Sequence, residues 1–166
     1  MSTQDNLKAA FAGESQANQK YRAFAQKAEK DGQPQIARLF RAAAAAETIH
    51  AHSHLRTMGG LGQTAENLQT AIEGEGHEFK EMYPEFVEQA VVEGDQAAQR
   101  TFQYAMEVEK VHHELYQQAL ETLQGGGDLP QRNIYVCSVC GNTVYGQPDD
   151  DCPICGAKPA VFFEVD

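Results

Sequence analysis

The stretch TFQYAMEVEKVHHELYQQALETL, residues 101–123, combines an apolar helical stripe with glutamate and histidine side chains. Apolar and small residues recur along it at alternating spacings of three and four, which is typical of a helix packed into a bundle. Glu109 and His112 fall on this stripe and are expected to point inward. His113 is the alternative to His112, because a spacing of four also brings two helical side chains together. The stripe comprises Phe102, Ala105, Glu109, His112, Tyr116, Ala119 and Leu123.

The composition of the chain restricts the classes of protein to consider. The chain has 166 residues, of which 42% are hydrophobic, a formal net charge of -11 and a pI near 4.9. The acidic excess argues against a nucleic-acid partner, because phosphate backbones recruit lysine and arginine. No run of 18 or more apolar residues is present, and the first residues lack an apolar signal segment. We therefore expect a soluble, cytoplasmic protein with no membrane partner.

Apolar periodicity predicts an all-α four-helix bundle over the larger part of the chain. The break between the first two helices is short, so these helices should lie antiparallel. Pro84 lies inside the third helix, where it removes a backbone hydrogen bond and should kink the helix. The alternative is a helix that starts at Pro84 and leaves Glu75 and Glu78 in a loop. Residues 64–72 either belong to the preceding connection or lead into this helix. The predicted helices cover residues 5–30, 35–58, 72–93 and 95–123.

A glycine-rich stretch, GGGDLPQ at residues 125–131, separates the helical region from a tail with short strand-like segments. We expect a helical domain over residues 1–124, a linker over residues 125–132 and a small β-rich domain over residues 133–166. A domain of this size cannot hold itself together by a hydrophobic core alone and needs a further constraint.

The cysteines of the tail provide that constraint, because they form two knuckles, C-x-x-C-G and C-P-x-C-G. Paired two-residue gaps suit chelation of one ion, and a disulfide framework is the weaker interpretation in a reducing cytoplasm. Four tetrahedral thiolates suit Zn(II) or a single iron, and the spacing does not distinguish a zinc ribbon from a rubredoxin-like site. The expected ligands are Cys137, Cys140, Cys152 and Cys155.

A second set of metal-binding residue types lies on the inner faces of the predicted helices. The motif E-x-x-H occurs at residues 47–50 and 109–112, and a spacing of three puts both side chains on one helix face. Each motif is preceded by a further glutamate: Glu14 lies 33 residues before Glu47, and Glu75 lies 34 residues before Glu109. Such a repeat is found in carboxylate-bridged dinuclear sites. The full set is Glu14, Glu47, His50, Glu75, Glu78, Glu109 and His112.

The burial of this set favours bound metal ions. A single E-x-x-H is more often part of a solvated face, but both motifs here are in register with the apolar stripe. Five buried carboxylates without counter-charge would cost several kcal/mol each. Carboxylates with one imidazole per metal suit Fe or Mn. Glu107 and Glu114 lie off the apolar stripe and are expected to be solvated. The remaining histidines, His52, His54, His77 and His113, are expected at the surface or behind the ligands.

The chain resembles the rubrerythrins over nearly its whole length. The resemblance lies in AFAGESQANQKY (10–21), AETIHA (46–51), GEGHEFKEMYPEF (74–86), VEKVHHELY (108–116) and the two cysteine knuckles. It implies a ferritin-like four-helix bundle with an oxo- or hydroxo- and carboxylate-bridged di-iron centre. It also implies a rubredoxin-like domain with one iron on four thiolates, although Zn is possible there.

The resemblance implies a role for each ligand of the di-iron centre. By their places in the motifs, Glu47 and Glu109 would bridge the two irons. Glu14 and Glu75 would each be a terminal ligand of one iron, and His112 would hold one of the irons.

The resemblance also implies an exchange of ligands. The other iron would be bound by Glu78 in the oxidised state and by His50 in the reduced state, since carboxylate favours ferric and imidazole favours ferrous iron. Tyr21 and Tyr83 match tyrosines that hydrogen-bond near the ligands, although ordinary core tyrosines would look the same. Gly76 departs from the family pattern and weakens the helix between two ligands.

Family members reduce hydrogen peroxide to water, so the resemblance implies a peroxidase active in oxidative-stress defence. Electrons would originate from NADH and arrive through a separate rubredoxin or flavoprotein reductase, because no dinucleotide-binding G-x-G-x-x-G motif follows a strand here. The resemblance further implies a homodimer or higher homo-oligomer. The alternatives are a ferroxidase or iron-handling protein, and an interaction module with a structural zinc ribbon.

Overall fold

The structure is a computed structural model that describes residues 2–165. Over these residues the chain forms two compact units, one up to Gly62 and the other from Gln63 onward. The first contains α1 (Thr3–Lys30) and α2 (Pro34–Thr57), and the second begins with α3 (Thr64–His77). A π-helical turn (Glu78–Met82), α4 (Tyr83–Glu93) and α5 (Gln96–Gln124) follow, and the chain continues with β1 (Ile134–Cys137), β2 (Thr143–Tyr145) and β3 (Phe162–Val165).

In the first unit, α1 and α2 pack against each other through small side chains. A capping box starts α1, in which the Ser2 hydroxyl accepts from the backbone N–H of Asp5 and the Asp5 carboxylate accepts from the backbone N–H of Ser2. Gly32, with φ of 73°, makes the turn to α2. Small residues at the contact let the two helices approach closely. The buried residues of the pair are Ala25, Ala28, Ala37, Ala44 and Ala51.

The register of α1 against α2 is set by one polar side chain. The Asn18 side-chain amide donates to the backbone carbonyl of Ala44 and to Oγ1 of Thr48, both at 2.7 Å. Asn18 lies one helical turn beyond Glu14, and Thr48 is the neighbour of Glu47. These hydrogen bonds therefore fix the position along the helix axes at which Glu14 of α1 faces the E-x-x-H motif of α2.

In the second unit, the third helical segment starts earlier and is less regular than the sequence indicates. It begins at Thr64, not near residue 72, with a capping box between Gln63 and Glu66. The alternative of a loop before Pro84 is wrong, because the backbone stays helical through the π-helical turn. There the backbone N–H of Tyr83 bonds to the carbonyl of Glu78, five residues earlier. The wider turn accommodates Pro84, which has no N–H to donate.

Gly76 is buried where α3 approaches α5. A Cβ at this position would lie 3.2 Å from Cδ2 and 3.4 Å from Nε2 of His113. The His113 ring also meets the edge of Phe79, with ring centroids 5.3 Å apart. The helix is therefore not disrupted at Gly76, and the missing side chain leaves room for an imidazole ring of α5.

The cysteine module is a three-stranded antiparallel sheet in the order β2-β1-β3. Ile134 pairs with Tyr145 on one side and with Val165 on the other. The two knuckles that follow have the same turn, since the N–H of Gly141 bonds to the Cys137 carbonyl and the N–H of Gly156 bonds to the Cys152 carbonyl, both at 2.8 Å. Each glycine has a positive φ, which this turn requires.

Within residues 2–165, none of the helices combines the length and the apolar character that crossing a lipid bilayer requires.

Candidate metal centres

Among the described residues, three groups of side chains bring their potential ligand atoms within 4.8 Å of one another. One group belongs to the cysteine module and two belong to the helices. The groups are Cys137, Cys140, Cys152 and Cys155; Glu14, Glu47 and His50; and Glu75, Glu109 and His112.

The first carboxylate group lies between α1 and α2. Glu14 comes from α1, whereas Glu47 and His50 come from one face of α2. Nδ1 of His50 lies 3.0 Å from Oε2 of Glu47. The Glu47 side chain is only 18% exposed, but the His50 side chain is 55% exposed. His50 is therefore the group member with the most freedom to change its position.

The second carboxylate group has the same composition and lies between α3 and α5. Nδ1 of His112 is 2.8 Å from Oε2 of Glu109 and 3.9 Å from Oε1 of Glu75. All three side chains are between 18% and 26% exposed. His113 is directed instead to the contact with Gly76 and Phe79. The geometry thus favours His112 over His113 as the histidine that acts with Glu109.

The second group has an excess of negative charge. Burial, together with the neighbouring Glu109 carboxylate, raises the pKa of Glu75 to about 7. The hydrogen bond to Glu109 raises the pKa of His112. Burial, followed by the Glu109 charge, also raises the pKa of Glu78. Carboxylates held this close resist ionisation, and a divalent cation among them would relieve the repulsion. The donor set therefore fits a metal ion.

Three of the site residues predicted from the sequence lie outside the two carboxylate groups. Glu78 is half-buried at the first position of the π-helical turn. Burial and the charge of Glu78 raise the pKa of Tyr83, so the phenol keeps its proton at neutral pH. The Tyr21 ring packs against Phe24 and Phe40, with centroids 6.4 Å and 6.2 Å away. The roles of these three residues stay predictions.

Two residues near the second group were not anticipated as site residues. Burial and the charges of Glu75 and Glu109 raise the pKa of Tyr116, which lies one turn beyond His112. Oγ1 of Thr143 lies 3.0 Å from Nε2 of His112. Tyr116 was visible as a member of the apolar stripe, but Thr143 had no sequence signal because its contact spans 31 residues.

The cysteine group has the dimensions of a four-thiolate site. Sγ atoms are 3.7 Å apart in the pair Cys137 and Cys155, and 3.6 Å apart in the pair Cys140 and Cys152. A tetrahedral ion with metal–sulfur bonds of about 2.3 Å would separate its sulfurs by about 3.8 Å. The group therefore fits a single ion.

Hydrogen-bond donors favour the thiolate form of Cys152, whereas burial raises the pKa of Cys140 and of Cys155. Burial raises the pKa of Cys152, but the backbone N–H groups of Cys155 and Ile154 outweigh it and lower this pKa to about 7. The buried side chain of Asn142 directs Nδ2 to the same sulfur at 3.8 Å. A bound metal ion needs the deprotonated form, which these donors stabilise.

An apolar cavity of about 280 Å³ borders His112 on the side away from Glu109. It lies between α3, α5 and the cysteine module. Its lining includes Leu68, Leu115, Tyr116, Leu129, Ile134 and Val144.

Comparison with known proteins identifies the relatives of the chain. The rubrerythrin family model matches residues 5–120. Rubrerythrin-2 of Clostridium acetobutylicum is 38% identical, over 96% of this chain and 95% of the relative. Nigerythrin of Nitratidesulfovibrio vulgaris is 37% identical, over 93% of this chain and 82% of the relative.

Solved structures of nigerythrin are similar to the chain over 99% of its length and 87% of theirs. A mixed-valence state matches with a TM-score of 0.57 and 34% identity, and a fully reduced, all-ferrous state with 0.57 and 35%. This similarity confirms the predicted fold class, a ferritin-like helical protein with a small rubredoxin-like module.

Proposed function

Because the chain belongs to the rubrerythrin family, we propose that it is a peroxidase that reduces hydrogen peroxide to water at a di-iron centre. The family comprises di-iron oxidoreductases of oxidative-stress defence. The observation that carries the proposal is the equivalence of the two carboxylate groups. Each combines two glutamates and one histidine, and in each Nδ1 of the histidine lies within 3.0 Å of the motif glutamate.

In the proposed centre, glutamate and histidine side chains of both groups would hold a pair of irons. Glu47 and Glu109 would be the bridging ligands, Glu14 and Glu75 the terminal ligands, and His112 a ligand of one iron. Two irons carry about four to six positive charges, which roughly balance the carboxylates of the site. The raised pKa of Glu75 supports this assignment, because it reflects carboxylates placed together without a cation.

The irons, when bound, would supply the two electrons that reduce the O–O bond of the peroxide. The reaction also needs two protons, and the chain offers hydroxyl donors near the second group. Tyr83 keeps its proton at Oη because burial and the Glu78 charge raise its pKa. We assign Tyr83, and Tyr21 of α1, to hydrogen bonds with the reacting oxygens or the ligands.

We assign Glu78 and His50 to the ligand exchange of the family. The exposure of the His50 side chain supports this role, since a side chain that is 55% exposed changes rotamer at little cost. The place of Glu78 on a π-helical turn supports it too, because such turns interrupt regular helix geometry and are frequent at functional sites.

In this proposal Cys137, Cys140, Cys152 and Cys155 would hold one iron, which would supply electrons to the di-iron centre. The electrons come from NADH by way of a separate redox protein. A structural Zn(II) in the same thiolates is the rival assignment, since both ions suit four sulfurs.

The experiment that tests the function compares two oxidants. Protein loaded with iron without oxygen should contain about three irons per chain and show ferric-thiolate absorption after oxidation. In stopped-flow mixing, peroxide should oxidise the reduced di-iron centre much faster than dioxygen does. Glu109→Gln should abolish this reaction, whereas Glu114→Gln, an exposed glutamate of the same helix, should preserve it. Equal rates with both oxidants would instead indicate a ferroxidase.

A further inference from the structure

We propose that Thr143 of the cysteine module is a positioning residue, whose hydroxyl oxygen holds the His112 ring so that Nδ1 faces the carboxylates. The inference deepens the proposed function, because it rests on His112 as a metal ligand. It assigns to the cysteine module a structural role in the neighbouring carboxylate site.

The His112 ring is bound on both of its nitrogen atoms. Nδ1 lies 2.8 Å from Glu109 and 3.9 Å from Glu75. On the opposite edge, Nε2 lies 3.0 Å from Oγ1 of Thr143. A half-buried ring with partners on both edges has one orientation, so a metal ion among the carboxylates would meet Nδ1 and not Nε2.

The hydroxyl of Thr143 has a defined direction. Its own proton is donated to the backbone carbonyl of Gly141, at 3.2 Å. The oxygen therefore accepts a hydrogen bond from His112. The proton of this hydrogen bond is carried on Nε2. In the metal-free chain Nδ1 also carries a proton, which Glu109 accepts. Once that proton is displaced, the proton on Nε2 leaves the Nδ1 lone pair available to a metal ion. The Gly141 carbonyl is a further hydrogen-bond acceptor for His112, so Thr143 acts together with the cysteine knuckle to keep the proton on Nε2 and to orient the ring.

The position of Thr143 is set by the first cysteine knuckle. Thr143 directly follows Asn142, whose carbonyl accepts from the N–H of Cys137 at 2.9 Å. Thr143 also begins β2, where it pairs with Val136. A Cβ on Gly141 would lie 3.7 Å from Val108 of α5, so the knuckle is in close contact with the helix that carries His112. A folded knuckle therefore brings the hydroxyl to the imidazole.

The first test measures metal affinity in the full chain with Zn(II) at the cysteines. Titration with Co(II) should give a dissociation constant for the carboxylate groups that rises at least about tenfold in Thr143→Val, because partners behind a metal-binding histidine typically contribute 10–100-fold. Thr143→Ser retains the hydroxyl and should stay close to the unchanged chain. Thr122→Val is the matched control, since the Thr122 hydroxyl donates to the Gln118 carbonyl of its own helix.

The second test observes the histidine itself. With ¹⁵N-labelled histidine and Zn(II) at the cysteines only, the Nε2–H proton of His112 should exchange slowly with water in the unchanged chain and in Thr143→Ser. It should exchange fast in Thr143→Val. Valine suits a strand position, so this variant should fold, and its melting temperature checks that it does.

The combined results distinguish an error in the role assigned to Thr143 from an error in the proposed peroxidase function. If Thr143→Val leaves both the Co(II) affinity and the Nε2–H exchange unchanged in a chain that reduces peroxide, the inference is wrong and the function stands. If both readouts change as expected but the iron-loaded chain does not reduce peroxide, the function is wrong and Thr143 still positions His112.

Discussion

Replacement of Gly76 by alanine tests whether the contact between α3 and α5 is as close as the structure indicates. Alanine is favoured over glycine in a helix interior by about 1 kcal/mol. At Gly74 a Cβ would meet nothing within 4 Å, so Gly74→Ala should receive most of this gain. At Gly76 the new Cβ would lie 3.2 Å from the His113 ring, which itself packs on Phe79.

The expected magnitude follows from these two contributions. Overpacking typically costs 1–3 kcal/mol, which offsets or exceeds the gain of about 1 kcal/mol in propensity. We therefore expect Gly76→Ala to lower the free energy of unfolding by about 0–2 kcal/mol. Relative to Gly74→Ala, its melting temperature should be lower by several degrees, since about 1 kcal/mol corresponds to 2–4 °C at this chain length.

Unfolding by heat and by urea, in chains with Zn(II) at the cysteines, measures the difference. Combining Gly76→Ala with His113→Ala should restore stability beyond the sum of the single changes, because the smaller side chain removes the steric conflict. Movement of α3 should also weaken Co(II) binding at Glu75. The reasoning is refuted if Gly76→Ala stabilises the chain as much as Gly74→Ala does.

Three further predictions concern the sites. Glu109→Gln should lower the metal content of the carboxylate groups, measured by elemental analysis, whereas Glu114→Gln should leave it unchanged; equal losses would contradict the assignment of the inner face. Cys140→Ser should remove the ferric-thiolate absorption while the carboxylate groups still bind Co(II). In the metal-free chain, the raised pKa of Glu75 means that the folded state binds the proton more tightly than the unfolded state. Its stabilising effect should be lost as the pH rises from about 4.5 to about 7, so the urea midpoint should fall over this window more steeply than in Glu75→Gln; parallel curves would exclude Glu75 as the cause.

The helices could be predicted from the sequence to within a few residues, with one exception. Apolar periodicity reports which face of a helix is buried, and this signal extends through α1, α2 and α5. The start of the third segment at Thr64 was left open, because its capping box begins with Gln63 instead of the usual serine, threonine or aspartate. The π-helical turn before Pro84 was not predicted, since proline indicates a lost hydrogen bond but not how the backbone compensates for it.

Many of the metal-binding residues are brought together by their local spacing, so their pairing follows from the sequence alone. Two cysteines separated by two residues, or a glutamate and a histidine separated by three, are brought together by the turn or helix that contains them. The pairing of Glu47 with His50 and of Glu109 with His112 therefore followed from helix geometry alone.

Which elements meet in space depends on the tertiary packing. The approach of Glu75 to His112, the placement of His113 over Gly76 and the hydrogen bond from His112 to Thr143 each join elements that are separate in the chain. Such contacts depend on how side chains of two surfaces fit together. Local spacing in the sequence does not encode this fit between surfaces. The fit is the reason that the adjacent histidines His112 and His113 of α5 have different neighbours.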